Sequence, residues 1–412
     1  MTDYSKNYIE FQKMSLKTKS TDINLQDTSI AFEHISNRNL KKTYYIFALM
    51  NLNWLVKIGT FFIKLSLKLG LPIKKIIKNT IFSQFCGGEN IVECRKTIDS
   101  LAEFNVGTIL DYSVEGEDNE SDFERTKEEI IRTIEIASKN RDKIPFSVFK
   151  VSGIGSVDLL EKQQLGEEPL EEEEKKAFEA IKRRVSEISA KAAELEVRLF
   201  FDAEESWIQD TIDSLCYEMM EKFNTAGLVI IYNTYQLYRY DVLDNFKNSV
   251  ETAQHKGYKV GAKLVRGAYI ERERLRASEN EYKDPINRTK EETDEHYDAA
   301  VDFSLNHLDT VAICLGTHND ESCLKCVKLM DELDINPKDS RIYFAQLLGM
   351  SDNISFNLAK SGFNVAKYVP YGPVESVMPY LFRRAAENTS IAGQSSREFL
   401  LIKEELRRRY KK

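Results

Sequence analysis

The stretch VGTILDYSVEGEDNESDFERTKEEIIRTIEIASKNRDKIPFSVFKVSG (106–153) holds the unit from which most of the chain is built. A short apolar run, VGTILDYSV (106–114), reads as a strand, and ESDFERTKEEIIRTIEIASKN (120–140) reads as an amphipathic helix. FSVFKVSG (146–153) is the next strand. Six further runs continue the pattern: VRLFFDAE (197–204), GLVIIYNTY (227–235), KVGAKLVRGAY (259–269), DTVAICLGT (309–317), RIYFAQLLG (341–349) and GFNVAKYVPYG (362–372). Each is followed by an amphipathic or charged segment of helical length. Eight successive strand–helix units predict an α/β fold of the closed (β/α)8 barrel type rather than an open doubly wound sheet. The spacing is uneven, because LGEEPLEEEEKKAFEAIKRR (165–184) predicts a solvated acidic loop leading into a helix. The barrel takes residues 101–412 and leaves 1–100 as an N-terminal helical arm.

Composition narrows the function. The chain has 412 residues, 42% hydrophobic and 30% charged, with a formal net charge of −8, an ordinary globular balance. An acidic chain without a basic cluster on its barrel argues against a nucleic-acid partner. Five histidines leave little room for a multi-histidine metal site, and no metal is expected. Six cysteines are too sparse for a disulfide-built fold. Cys323 and Cys326 form a lone C-x-x-C within a helical pattern, read as two partly buried thiols one turn apart. The N-terminal MTDYSKNYIEFQKMSLKTKS (1–20) has no apolar core of signal-peptide type. Together these point to a reducing, cytoplasmic compartment. Residues 34–88 depart from the average: they hold nine Lys or Arg and no Asp or Glu, with large apolar residues between. The uncharged run from Tyr44 to Val56 is too short to span a bilayer, which needs about 20 residues. Two readings stay open, a basic amphipathic surface on the inner face of an anionic membrane, or a helical arm packed on its own domain.

In a barrel, functional side chains sit where strands end and the following loops begin. Seven of the eight strand ends carry polar residues: Lys150; Asp202 with Glu204 and Glu205; Asn233; Lys263 with Arg266; Thr317 with His318 and Asn319; Gln346; and Tyr368. In KLVRGAY (263–269), Lys263 lies inside a strand, where a lone ammonium is costly unless it faces a ligand or partner. Gly267 and Ala268 allow a bulky ligand to approach the backbone, although a salt bridge with a tight turn explains the same residues. GTHND (316–320) offers a hydroxyl and an imidazole, although a single strand-end histidine is more often a structural residue than a ligand. YLFRRAAENTS (380–390) is helical, with Glu387 spaced to meet Arg383 and Arg384. The two arginines suit a small carboxylate, and a solvated Arg/Glu face is the competing reading. No G-x-G-x-x-G follows a strand and no P-loop is present, so any dinucleotide would be bound by barrel loops.

Taken together, KLVRGAY, GTHND, QLLGMSD (346–352) and KYVPYGPVESVMPYLFRRAAENTS (367–390) resemble the proline dehydrogenase family over roughly the last 310 residues. The resemblance implies a distorted (β/α)8 barrel that holds FAD at its mouth. It implies oxidation of L-proline to Δ1-pyrroline-5-carboxylate, with hydride leaving C5 of the ring for the flavin and electrons passing to a membrane quinone. By the same resemblance, Arg383, Arg384 and Lys150 pair the substrate carboxylate and Glu387 holds the arginines. Tyr368 and Leu348 pack on the ring, Lys263 sits near the flavin N5, and Asp202 orients the charged network. Asn233, Arg266, Gly267, Ala268, Thr317, His318, Gln346 and the backbone of Ala203 contact FAD, with Thr293 a further candidate. Two residues depart from many bacterial members, which have Arg in place of Lys263 and Gln in place of Asn233. The length leaves no room for an aldehyde dehydrogenase module, so a separate pyrroline-5-carboxylate dehydrogenase is expected. The alternatives are 4-hydroxyproline oxidation, disfavoured by the bulk of Tyr368; a non-enzymatic membrane-associated barrel; and a metal-dependent hydrolase, disfavoured because His318 has no histidine partner.

Overall fold

A computed structural model describes residues 23–69, 71–113, 119–166, 168–389 and 397–411. The N-terminal stretch 1–20 and the last residue of the 380–390 segment lie outside the described residues, as does the side chain of Glu387. Eight parallel strands close into one barrel in chain order. They are β1 Val106–Tyr112, β2 Phe146–Phe149, β3 Arg198–Phe201, β4 Ile231–Gln236, β5 Val260–Val265, β6 Val311–Gly316, β7 Ile342–Leu347 and β8 Val365–Tyr371. Closure is made by β8 on β1, in register from Val106 opposite Val365 to Tyr112 opposite Tyr371. All eight strand expectations therefore hold, because strands covered by helices on one face and filled on the other read as apolar runs.

The interior is a packed plug. Ile109, Phe146, Val148, Phe200, Tyr232, Ala312, Cys314, Ala345 and Ala366 form its core. Bulky rings from β2 to β4 face small residues from β6 to β8, and Phe146 stacks on Phe200 with centroids 4.4 Å apart. Period-2 alternation then carries Asp202, Thr234 and Lys263 onto the inward face above this layer.

The helices used below are α1 Asn37–Met50, α2 Asn53–Lys68, α3 Ile91–Ala102, α4 Glu120–Ser138, α5 Glu172–Glu194, α6 Ser206–Phe223, α7 Lys290–Asn306, α8 Asp320–Glu332, α9 Asp352–Lys360, α10 Met378–Thr389 and α11 Arg397–Tyr410. Helix α5 begins where the acidic loop ends, with a capping box between Glu171 and Glu174. Helix α3 gives Cys94, Ile98 and Leu101 to the core between barrel and helices. A second core lies apart from the barrel. It joins Phe47, Phe82 and Phe85 to Met378, Leu381, Leu401 and Ile402, so the segment before α3 packs with the two C-terminal helices. Cys323 and Cys326 are both fully buried, free thiols on α8.

Candidate active site

Four strand-end side chains meet at the C-terminal mouth. Asp202 follows β3, Lys263 lies in β5, Tyr368 in β8, and Lys150 follows β2. Lys263 Nζ bonds Asp202 Oδ1, and the Tyr368 hydroxyl donates to Asp202 Oδ2 at 2.6 Å. The Lys263 ammonium also lies 5.0 Å from the ring centroids of Phe200 and Tyr368. Lys150 Nζ donates to the Tyr269 hydroxyl at 3.0 Å. Burial opposes the charge of Asp202, but Lys263 and Lys150 outweigh it and hold the carboxyl below its ordinary value. Burial likewise opposes the Lys150 ammonium, yet Tyr269, Asp202 and Glu204 keep it well above the ordinary lysine value. The Tyr368 phenol is pushed far up by burial, then by Asp111 and Asp202, so it stays a donor. The mouth therefore holds Lys150 as a cation and Asp202 as an anion at working pH.

Asp111, on β1, completes the cluster. It is buried, accepts a bond from Ser113 Oγ, and its carboxyl is raised from 3.8 to about 6, first by burial and then by Asp202. The folded state thus holds this proton more tightly than the unfolded chain. Ionisation of Asp111 then costs stability, a cost absent in acid and complete above about pH 6. Asp111→Asn is expected to stabilise the protein at pH 8 by about 3 kcal/mol, with the gain fading toward pH 4. Urea unfolding at the two pH values measures this, and an equal effect at both contradicts it.

A second group lines the exits of β5 and β6. Arg266 donates to Asp294 at 2.6 Å, to Thr317 Oγ1 at 2.8 Å and to Ser322 Oγ at 3.0 Å, with its guanidinium 4.5 Å over the Tyr297 ring. Gly267 has φ 147°, and a Cβ there would lie 2.4 Å from the Tyr238 ring, so no other residue fits. The Ala268 amide donates to Gln236 Oε1 at 3.3 Å, and Gln236 Nε2 donates to the Glu204 carbonyl at 2.7 Å. Ala203 is buried beside Asp202. His318 Nδ1 lies 2.9 Å from Ser351 Oγ. Gln346 donates to the Thr317 carbonyl at 3.1 Å and accepts from Ser355 at 2.7 Å, which ties β7 to the loop after β6. The Leu348 amide donates to the Tyr368 carbonyl at 2.9 Å.

Other residues stand elsewhere. Asn233 alternates outward from Tyr232, donates to Asp213 on α6 at 2.8 Å, and is fully buried under that helix. Thr293, on α7, bonds Asn287 at 3.2 Å and precedes Asp294, the partner of Arg266. Arg384, on α10, is buried with its guanidinium 5.2 Å over the Tyr380 ring, and its charge reaches His318. Arg383, one residue earlier, is half-buried. The sequence reading passed over Asp111, Gln236 and Tyr269. Alternation from Ile109 and from Tyr232 puts the first two on the inward face, and Tyr269 stands inside the quoted KLVRGAY.

A closed parallel barrel with a buried, charged cluster at its strand C-termini is the arrangement with which barrel enzymes hold a small polar substrate. The family model described as "Proline dehydrogenase" matches residues 94–397. "Proline dehydrogenase 1, mitochondrial" of Dictyostelium discoideum is 32% identical over 428 residues, covering 93% of this chain and 74% of that protein. The human protein of the same name is 44% identical over 241 residues, 58% of this chain and 40% of that protein. "Carbapenem antibiotics biosynthesis protein CarD" of Pectobacterium carotovorum subsp. carotovorum is 36% identical over 328 residues, 79% of this chain and 84% of that one. The crystal structure of proline utilization A (PutA) from Bdellovibrio bacteriovorus, inactivated by N-propargylglycine, aligns with a TM-score of 0.70 at 18% identity, a likeness of fold. That alignment covers 91% of this chain and 40% of the other. The chain belongs to the proline dehydrogenase family, whose named members are oxidoreductases. It spans less than half the length of the human relative.

Proposed function

We propose that this chain oxidises L-proline to Δ1-pyrroline-5-carboxylate with FAD, and that the electrons leave to a membrane quinone. The observation that carries the reading is the buried Lys263–Asp202–Tyr368 cluster, flanked by Lys150, above the aromatic plug. The residues at the mouth fit a flavin nucleotide in their chemistry. Lys263 offers an ammonium bonded to Asp202, Arg266 and Thr317 offer donors suited to phosphate or hydroxyl oxygens, and Ala268 keeps a small side chain beside them, while Gly267 makes room for the Tyr238 ring. Gln346, His318, Ala203 and Gln236 would complete the cradle, while Asn233 and Thr293 would act only through neighbours. FAD, when bound, would supply a two-electron acceptor.

The chain's own residues orient and select. Arg383, Arg384 and Lys150 would fix the proline carboxylate, with Glu387 bracing the arginines, so that one ring carbon is held toward the acceptor. Tyr368 and Leu348 would wall the ring. Because the Tyr368 hydroxyl is fastened to Asp202 at 2.6 Å, it cannot swing aside for a ring hydroxyl, which favours proline over 4-hydroxyproline. The substrate amine must be neutral to give up hydride. kcat/KM is therefore expected to rise with pH above neutrality. Turnover assays with an artificial quinone and chemical trapping of the pyrroline test the reading. A flat pH profile, or faster turnover of 4-hydroxyproline, would count against it.

The pyrroline product would be a substrate for a pyrroline-5-carboxylate dehydrogenase. The membrane contact is proposed for one face of α2. Among the described residues no helix is long and apolar enough to cross a membrane. Yet Trp54, Ile58, Phe61 and Phe62 stand 45–63% exposed at helical spacing, while Val56 and Ile63 of the same helix pack on the second core. Among the described residues, Lys74 is offset by Glu375 and Lys78 by Glu89 and Glu93. An anionic lipid surface at the inner face of the membrane matches this exposed apolar face in a stretch that holds nine Lys or Arg and no Asp or Glu. Trp54 is one of two tryptophans, and Trp207 packs against the barrel's core beneath Arg276. Anionic vesicles are expected to blue-shift the emission and float the protein, and the double variant Phe61→Asp/Phe62→Asp to lose both effects. Equal flotation of the variant would refute this contact.

A further inference from the structure

The imidazole of His318 is held by an element far along the chain. Burial, followed by Lys367, Arg384 and Arg397, presses its pKa down to about 3, so the ring is neutral at working pH. Which nitrogen carries the proton then decides what the ring offers a ligand. Nδ1 faces Ser351 Oγ at 2.9 Å, whereas Nε2 bonds no described residue.

Ser351 is itself constrained. It stands at φ 49°, ψ 44°, a left-handed conformation that non-glycine residues rarely take. Its amide donates to Glu398 Oε1 at 2.8 Å and its hydroxyl to the same oxygen at 3.3 Å. Glu398 is buried at the start of α11. Burial first, and then Asp352, raise its carboxyl above the ordinary value, against the pull of the Ser351 amide, Arg397 and Lys367. The preceding residue, Arg397, bonds Asp320 at 2.9 Å, Asn353 at 3.0 Å and the His318 carbonyl at 3.4 Å. The first turn of the last helix thus clasps the loops after both β6 and β7.

The Ser351 hydroxyl donates to Glu398 Oε1, and a serine has a single hydroxyl proton to give. Its oxygen is then left to accept from His318. We propose that Arg397 and Glu398 are positioning residues for His318, holding it as the Nδ1–H tautomer so that Nε2 is presented to the ligand as a hydrogen-bond acceptor. The matching ligand group is a hydroxyl or an N–H. The flavin nucleotide of the proposed function carries both, and only the identity of that donor rests on that reading.

The test is nitrogen NMR of the full chain with 15N-labelled histidine, where five histidines are resolved and His318 is assigned by its loss in His318→Gln. The Nδ1–H pattern is expected, unchanged from pH 6 to 8. Glu398→Gln is expected to give a tautomer mixture and to weaken FAD binding about tenfold, measured by flavin fluorescence. If Glu398→Gln fails to fold, Ser351→Ala breaks the same relay and is expected to release the tautomer likewise. An Nε2–H pattern in the wild type, or variants that keep the wild-type tautomer, would overturn the proposal. If the wild type shows the expected tautomer but takes up no FAD, the flavin reading fails while the relay stands.

Discussion

Asp202→Ala is expected to destabilise the protein by about 3–5 kcal/mol and to remove proline turnover almost completely. The side chains of Lys263 and Asp202 are only 7% and 13% exposed. Alanine would leave the Lys263 ammonium buried without its counter-charge and the Tyr368 hydroxyl without its acceptor. The same change frees two groups that set the shape of the mouth, so turnover should fall by at least about a hundredfold. Asp202→Asn separates charge from shape. It keeps an acceptor for Tyr368 and loses the compensation of Lys263, so it should lie between wild type and alanine in stability. The sign of the pH dependence follows from the lowered carboxyl. A depressed carboxylate stabilises above its unfolded value and loses that contribution as pH falls through the folded value. The wild-type advantage should therefore be full at pH 7 and vanish only in strong acid. Urea unfolding with initial rates on the same samples measures both effects. A stable Asp202→Ala protein with normal rates would mean that the cluster is neither coupled nor used.

Arg384→Met is expected to raise KM for proline about a hundredfold, with kcat changed much less. The loss corresponds to ~3 kcal/mol, within the range for truncating one partner of a buried charge pair. Arg384 lies on α10, where Leu381 and Ala385 are in the second core, its guanidinium stands over Tyr380 and its charge reaches His318. Methionine fills similar space, so packing should survive. Arg384→Lys keeps the charge but loses the planar fork, and an intermediate KM is expected. Pyrrolidine, which lacks the carboxylate, supplies the control. If the arginine grips that carboxylate, the variant should treat pyrrolidine as the wild type does. An equal loss for both compounds would assign Arg384 to the architecture of the mouth.

The barrel was legible because each strand is buried on both faces and each helix on one, so period and composition change together at every junction. The inward charges Lys150, Asp202 and Lys263 were legible for a related reason, since ammonium and carboxylate groups at strand ends of an apolar run demand partners. What was not legible depends on distance in sequence or on a single residue of register. Reading β4 to end at Tyr235 hid Gln236, which alternation from Tyr232 places inward, and favoured Asn233, which points to α6. Tyr269 meets Lys150 across 119 positions, and nothing local to either announces it. In residues 34–88 the excess of basic and apolar residues was plain. Which apolar residues are covered was not, because α10 and α11 provide the cover from the far end of the chain: Phe47 is fully buried while Tyr45 is 65% exposed.

The proposed function requires that this barrel mouth hold a flavin and that L-proline reduce it. The visible spectrum of the purified full chain, taken without oxygen before and after addition of L-proline, tests both halves at once. Flavin absorption bands that bleach on adding L-proline are the predicted result. A colourless protein that takes up no added FAD, or flavin bands that L-proline leaves unchanged, would contradict the account.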